Sequence, residues 1–356
     1  MTRWLIRLAI LVVVFAWLLP RVIDYHAVWD ALTNLSVPAL ILLAGLSLLR
    51  IVTEASIYRG LLAGLRLRTG VRTYLSSDTV GLFLPPPAPS IVQYSYFGGA
   101  GFDTNTSTAA VIGTFVFATL GRLCIWPVAF VLLVATTTVP RRTLIITVVS
   151  LAVLAAVAAV GYCLARWEKV ASWFGSTVSR VVSWIRARFR RSPMMDLGPR
   201  MVEFRTVALS VFARRWKATS VAVALNLLVS FILLLVAIRA VGESRATIGW
   251  VEIFAAFALA FWFAAVVPIT QGGLGVVDVV LISTLTDESG ASSSVMTAAV
   301  LIWRFFYSFA MLPLGIFTLS QWHKDNPNAF KRHPHPTHDS AVGAPASATS
   351  AAGSSQ

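Results

Sequence analysis

The sequence predicts an all-α, polytopic transmembrane bundle of about eight spans, with one or two broken or re-entrant segments and a possible inverted repeat. Three observations predict it. Of 356 residues only 12% are charged while 57% are hydrophobic. Apolar runs of membrane-crossing length recur along the chain. The excess positive charge collects in a single loop.

A soluble domain has about a quarter of its residues charged, and half that fraction leaves too few charges to coat a water-facing surface. The mean hydropathy is +0.77. A hydrocarbon core about 30 Å thick takes roughly 20 apolar residues as helix. The net charge is +14, and twelve basic against three acidic residues between Arg166 and Lys217 supply +9 of it. Such a loop belongs on the cytoplasmic side, which argues against nucleic acid as a partner. Cys124 and Cys163 fall within apolar runs, so neither a disulfide framework nor a metal site follows from them.

In chain order, Arg3, Arg7 and the run Leu8 to Leu19 have the form of a signal peptide. No small-residue cleavage site follows and Pro20-Arg21 closes the run, which predicts an uncleaved first span from Trp4 to Ile23. Further spans are predicted at Val37 to Tyr58, Ala109 to Val134, Thr143 to Ala165, Ala218 to Ala240, Gly249 to Pro268 and Ala291 to Gln321. Between them, Thr79 to Phe97 contains Pro85, Pro86, Pro87 and Pro89 and cannot be one continuous helix. If it crossed, the basic loop would lie outside; a re-entrant hairpin lining a cavity returns it to the cytoplasm. Leu274 to Thr286 is too short for an ordinary span and is read as a thin crossing, which gives cytoplasmic N- and C-termini.

The basic loop 166–217 contains an apolar series (Trp167, Val170, Phe174, Val178, Val181, Ile185, Phe189) at helical spacing. It suits either a helix in the headgroup plane beside anionic lipid or one packed on the end of the bundle. Residues 1–322 thus form the transmembrane domain. Residues 323–356, rich in Pro, Ala, Ser, Gly and Thr, are predicted to be a disordered cytoplasmic tail. Its clustered histidines have nothing to fix a metal geometry.

Ionisable side chains inside spans are the default functional signal, since each costs at least ~2.5 kcal/mol at the centre of the bilayer. Arg50 and Glu54 are four residues apart and read as a self-neutralised pair; Glu252 sits at a span end. Arg122 and Arg304 lie near the middle of their spans. Each suits either an anionic headgroup or a helix-locking pair with Asp278 or Glu54. In Val267-Pro-Ile-Thr-Gln-Gly-Gly-Leu-Gly-Val-Val-Asp278, proline ends one helix and Gly272, Gly273 and Gly275 let the chain turn. A helix restarted at membrane depth aims its N–H groups inward, where they favour anions; broken helices of this kind mark transporter sites. Thr108-Ala-Ala-Val111 followed by Arg122 echoes Thr297-Ala-Ala-Val300 followed by Arg304.

The run Pro268 to Asp278, with Ala298-Ala-Val-Leu-Ile-Trp-Arg304 and Pro313-Leu-Gly315 downstream, resembles the C-terminal signature of the lysylphosphatidylglycerol synthase transmembrane-region family of flippase-like integral membrane proteins. The resemblance extends over Arg3 to Trp322, and implies a bundle in the bacterial plasma membrane that moves lipids between leaflets. The aminoacyl-transferase domain of the full synthases has no counterpart in this sequence, so lipid lysinylation is not expected. Where many members carry a Gly-Glu pair and an arginine, this chain reads Pro89-Ser-Ile-Val-Gln93-Tyr94, without a charge.

The expected function is non-enzymatic: moving, or helping to move, a lipid or lipid-linked headgroup across the membrane. The candidate substrate-binding residues are Arg122, Arg304, Gly272, Gly273, Gly275, Asp278 and Gln93. The expected partners are membrane lipids with anionic headgroups, with a second copy of the chain or a partner membrane enzyme left open. A membrane-embedded lipid-modifying enzyme and a scaffold for such enzymes are the alternatives. No nucleophile–base pair, intramembrane histidine or metal-ligand spacing is present, so no catalytic residue, cofactor or metal is expected. Without a Walker motif, direct ATP use is not expected either.

Overall fold

A computed structural model of the protein describes residues 35–84, 87–136, 141–169, 172–173, 176–177, 180, 183, 198–242, 248–266, 275–289 and 293–325. Among these residues all regular structure is helical. The elements are α1 (Val37–Leu61), α2 (Leu67–Phe83), α3 (Ala88–Gly99), α4 (Thr104–Thr136), α5 (Arg141–Arg166) and α6 (Gly198–Ala240). They continue with α7 (Trp250–Val266), α8 (Val276–Ser289), α9 (Ser293–Arg304), a π turn (Phe305–Phe309) and α10 (Leu312–Asp325). The expected first span, most of the interfacial series, Gly272, Gly273 and the tail beyond Asp325 lie outside the described residues.

Four helical stretches are long and apolar enough to cross a membrane: Val37–Leu61, Thr104–Thr136, Arg215–Ala240 and Val295–Lys324. Each coincides with a span expected from sequence. Their outward faces are apolar and exposed, as with Ile41, Leu48 and Val52 on α1 and Val221, Leu225 and Leu228 on α6. Facing water, stripes of that size would drive aggregation; against acyl chains they are what solvates the protein. The loop 166–217 does not end where the span begins. Its last part is already helix, because α6 runs 43 residues without a break, or about 64 Å, twice the hydrocarbon thickness.

The proline segment separates two helices. Helix α2 ends at Phe83 and α3 starts at Ala88, since the prolines remove donors that either helix would need. The Ser76 and Tyr96 hydroxyls lie 2.8 Å apart, and Val80 packs with Val92 and Tyr96. Both contacts are centred on residue 86, so α2 and α3 run antiparallel and the chain enters and leaves at one end. Helix α3 has 12 residues and α8 has 14. At about 18 and 21 Å, neither crosses a bilayer core alone. The order helix, break, short helix, arginine-bearing helix occurs as α2, α3, α4 with Arg122 and again as α7, α8, α9 with Arg304.

The core gathers where α6, α7, α8 and α9 meet, with Leu234, Phe257, Phe261, Leu281 and Trp303 fully or nearly fully buried. Apolar burial earns little between helices already surrounded by lipid, so close approach at small residues has to contribute. Gly315 of α10 sits against α2: a Cβ there would collide with the Thr79 hydroxyl and lie 2.7 Å from the Leu75 carbonyl oxygen. At the start of α4, Asp103 Oδ2 accepts the Thr106 N–H at 3.0 Å, a helix N-cap.

Two expectations follow. Gly315→Leu should lower the unfolding midpoint in detergent by the equivalent of ~1–3 kcal/mol, whereas Gly45→Leu, where a Cβ meets nothing within 4 Å, should leave it unchanged. Hydrogen bonds from the Thr106 side chain and N–H hold the Asp103 carboxyl below its ordinary value. The cap is therefore at full strength above the unfolded value of about 4 and is lost as pH falls through the lower folded value. The stability difference between wild type and Asp103→Asn, measured against pH, should shrink on acidification.

Candidate functional site

The glycine run ends at Gly275, whose φ of +85° is left-handed and favours glycine. Three residues on, Asp278 reaches back and its Oδ2 accepts the Gly275 N–H at 3.0 Å. This is the backward half of a capping box. The other oxygen, Oδ1, takes Arg304: Nε–H donates at 2.7 Å and Nη2 lies 2.6 Å away. One carboxylate thus closes the break and ties α8 to α9. The Arg304 side chain is 3% exposed and its guanidinium also lies over the Trp303 ring at 4.8 Å. Of the two roles that sequence leaves open for Arg304, the structure builds the helix-locking pair with Asp278.

Directly after Arg304 the helix widens. The Ala310 N–H bonds the Phe305 carbonyl at 2.8 Å, a step of five residues. Widened turns free carbonyl groups from the helical ladder and recur at functional sites. Here Phe306 O accepts the Ser47 hydroxyl at 2.8 Å and Tyr307 O accepts Arg50 Nη2 at 2.6 Å. Arg50 also donates to the Tyr74 hydroxyl and stacks 3.9 Å above the Tyr307 ring. Its expected partner Glu54 is 3.9 Å away, a loose contact. The i to i+4 spacing is real, but contacts from α2 and the π turn take the guanidinium instead.

Asp78 of α2 completes the set. Tyr74, Arg50 and Arg304 all lie within electrostatic reach of its carboxylate. Glu54 in turn feels Arg50, Arg122 and Asp78. Arg122, Glu54, Arg50, Asp78, Arg304 and Asp278 are thus a chain of three basic and three acidic side chains, in which Arg304 meets Asp278 at 2.6 Å and Arg50 meets Glu54 at 3.9 Å and the remaining neighbours lie within electrostatic reach without direct contact. Beside it the Gln93 amide donates to the Tyr58 hydroxyl at 3.3 Å.

Of the residues expected from sequence, Asp278, Arg304, Gly275, Arg122 and Gln93 all belong to or border this chain, and Asp278 and Arg304 are in direct contact. Asp78, Tyr58, Tyr74 and Tyr307 were missed by sequence reasoning. Asp78 had a findable signal, because it lies three residues above Leu75 on a helix with no other charge beyond Arg72. The chain is closed around Arg304, while the side chains of Glu54 and Asp278 are 20% and 21% exposed. Arg122 is half-buried and approaches the Phe261 ring at 5.9 Å. Among the described residues it has no hydrogen bond or ion pair.

The sequence profile of the lysylphosphatidylglycerol synthase TM region matches residues 4–315. No curated protein matches the chain.

Leaving a buried charge without its partner costs about 3–5 kcal/mol, more than removing both. Asp278→Asn and Arg304→Met should each lower the unfolding midpoint strongly, and the double substitution should recover part of the loss. Thermal melts of the four proteins in one detergent make that comparison.

Proposed function

Because the chain belongs to the lysylphosphatidylglycerol synthase TM region family, we propose that this membrane protein, already tied by its family to lipid handling, moves an anionic lipid headgroup between the leaflets of a bacterial plasma membrane. The observation that carries the proposal is the alternating charge chain inside an otherwise apolar bundle, with Arg122 free of any hydrogen bond among the described residues. A headgroup crosses hydrocarbon only if polar groups replace its water. The chain from Arg122 towards Asp278 offers such groups at membrane depth, on helices (α2, α3 and α8) that are too short or too broken to be plain spans.

In this reading the two breaks have different roles. The one at Gly275 is fixed by Asp278 and Arg304 and supports the site. The hairpin α2–α3 carries Asp78, Tyr74 and Gln93 past α1 and borders the path. Arg122 is the cation that receives the phosphate, and its long flexible stem lets the fork pair with a phosphodiester.

The test is reconstitution in phosphatidylcholine liposomes with a trace of fluorescent phosphatidylglycerol in both leaflets and dithionite added outside. Protein-free vesicles lose about half the signal; active protein should take the loss well beyond that, and Arg122→Gln should abolish the excess. Wild-type protein that leaves the inner leaflet fluorescent sinks the proposal.

A further inference from the structure

A second set of charges lies on the surface, at one end of the bundle. Between Glu54 and Asp78 the chain carries Arg59, Arg66, Arg68 and Arg72 and no acid. Helix α6 adds Arg215 and Lys217, with no acid between Glu203 and Glu243. Arg59, Arg66, Arg68 and Lys217 are exposed, and Arg72 and Arg215 are half-buried. Among the described residues none of the six has an ion pair. Charges of one sign gathered in this way repel one another unless anions from outside the chain offset them.

Close backbone packing brings these segments together. Gly60 of α1 abuts α6, where a Cβ would lie 2.6 Å from the Thr219 hydroxyl oxygen and 3.0 Å from its Cα. One turn earlier on α6, Arg215 Nη1 donates to the Arg59 carbonyl at 3.2 Å, which satisfies an orphan group in the last turn of α1. Gly70 of α2 lies against α1, where a Cβ would be 3.0 Å from the Ala55 carbonyl oxygen. The turn between α1 and α2 is anchored by buried Leu62 and Leu65 and passes through Gly64 at a φ of +87°. The cations stand on a fixed platform.

Their depth identifies the partner. The membrane-crossing stretch of α1 ends at Leu61 and that of α6 begins at Arg215, which puts Arg59, Arg215 and Lys217 at the level of lipid headgroups. Exposed Trp216, with Lys217 Nζ 5.8 Å from its ring, has the interfacial position that tryptophan favours. Toward the bilayer centre each helix continues, at helical spacing from its cation, into exposed apolar side chains: Val52 and Leu48 below Arg59, Val221 and Leu225 below Lys217. A phosphodiester above and acyl chains below match that order. An acidic soluble protein would match the cations and leave the apolar faces bare.

We propose that this end of α1, α2 and α6 is a binding surface for anionic phospholipid resident in the adjoining leaflet, with phosphate on Arg59, Arg215 and Lys217 and acyl chains along the exposed faces of α1 and α6. The lipid is held on the outside of the bundle, apart from Arg122 and the buried charges, and its binding does not require the protein to move lipid.

The test is native mass spectrometry of the full chain, released from a neutral detergent after incubation with equal amounts of phosphatidylglycerol and phosphatidylcholine of the same acyl chains. Wild type should retain the anionic lipid more than about tenfold over the neutral one, and each surface cation removed should cut that preference about fivefold. Arg59→Gln combined with Lys217→Gln should therefore bring it close to one, whereas Arg122→Gln should keep it. Raising ammonium acetate from about 0.05 to about 0.5 M should erase the wild-type preference, because exposed charges are screened. Equal retention of the two lipids by wild type overturns the inference without any variant. A preference that survives in the double variant, or is lost in Arg122→Gln, places the lipid inside the bundle and overturns it too. Phosphatidylglycerol displaced by equimolar inorganic phosphate or polyglutamate overturns the lipid assignment. If the preference holds while liposomes show no lipid movement, the surface stands and the transport reading falls.

Discussion

Everything in the C-terminal half depends on one carboxylate with two obligations. Asp278 holds the amide that opens α8 and the guanidinium that ends α9. A helix that starts at membrane depth has orphan N–H groups, and hydrocarbon offers them nothing. An arginine at that depth has the opposite need. One acid placed between them gives the Gly275 amide and the Arg304 Nε–H a shared acceptor. The pair also decides what lies beyond it, because the π turn begins at the next residue. Were α9 to slip along α8, the carbonyl groups of Phe306 and Tyr307 would leave Ser47 and Arg50, and α1 would lose its hydrogen bonds to the π turn.

The alternation of charge follows from that tie. Arg50 cannot be stable at depth on a single carbonyl, and it recruits Tyr74, whose hydroxyl passes the interaction on to Asp78. Asp78 then lies between two arginines on different helices. Each addition satisfies the charge before it and exposes a new one, until the series ends at Arg122, where no partner is built among the described residues. A structural network has every reason to close on itself. This one has its last arginine at the half-buried edge of the bundle, beside the Phe261 ring.

What the sequence discloses follows from how strongly the solvent constrains it. Spans such as Val37–Leu61 and Arg215–Ala240 are legible because hydrocarbon tolerates nothing else over that length. The break at Pro85 to Pro89 is legible because proline cannot be hidden in a helix. Arg304 and Asp278 stand out as isolated charges, and their pairing was one of two stated options. Asp78 is less visible: it follows Ser76 and Ser77 and comes after a basic stretch, so its segment reads as a polar approach to the membrane rather than as part of it. Arg50 shows the limit of spacing arguments. Its neighbour at i+4 is where a helix alone would find a partner, yet the Tyr74 hydroxyl and the Tyr307 carbonyl, from elsewhere in the fold, approach it more closely. The π turn leaves no trace in sequence at all, because it is a matter of register and not of residue type.

The two arginines that sequence could not rank end in different states. Both follow a break and a Thr-Ala-Ala-Val stretch in an apolar run, although Arg122 is mid-helix and Arg304 is the last residue of α9. Arg304 is sealed by Asp278 and by the Trp303 face. Arg122 has an aromatic ring at its side and an acid within electrostatic reach, but no bond to either. If the chain descends from a doubled unit, the copies have diverged, since one arginine is locked to an acid and the other is not. Glu54, the acid within that reach, accepts no hydrogen bond among the described residues, and the Arg50 guanidinium stands 3.9 Å from it.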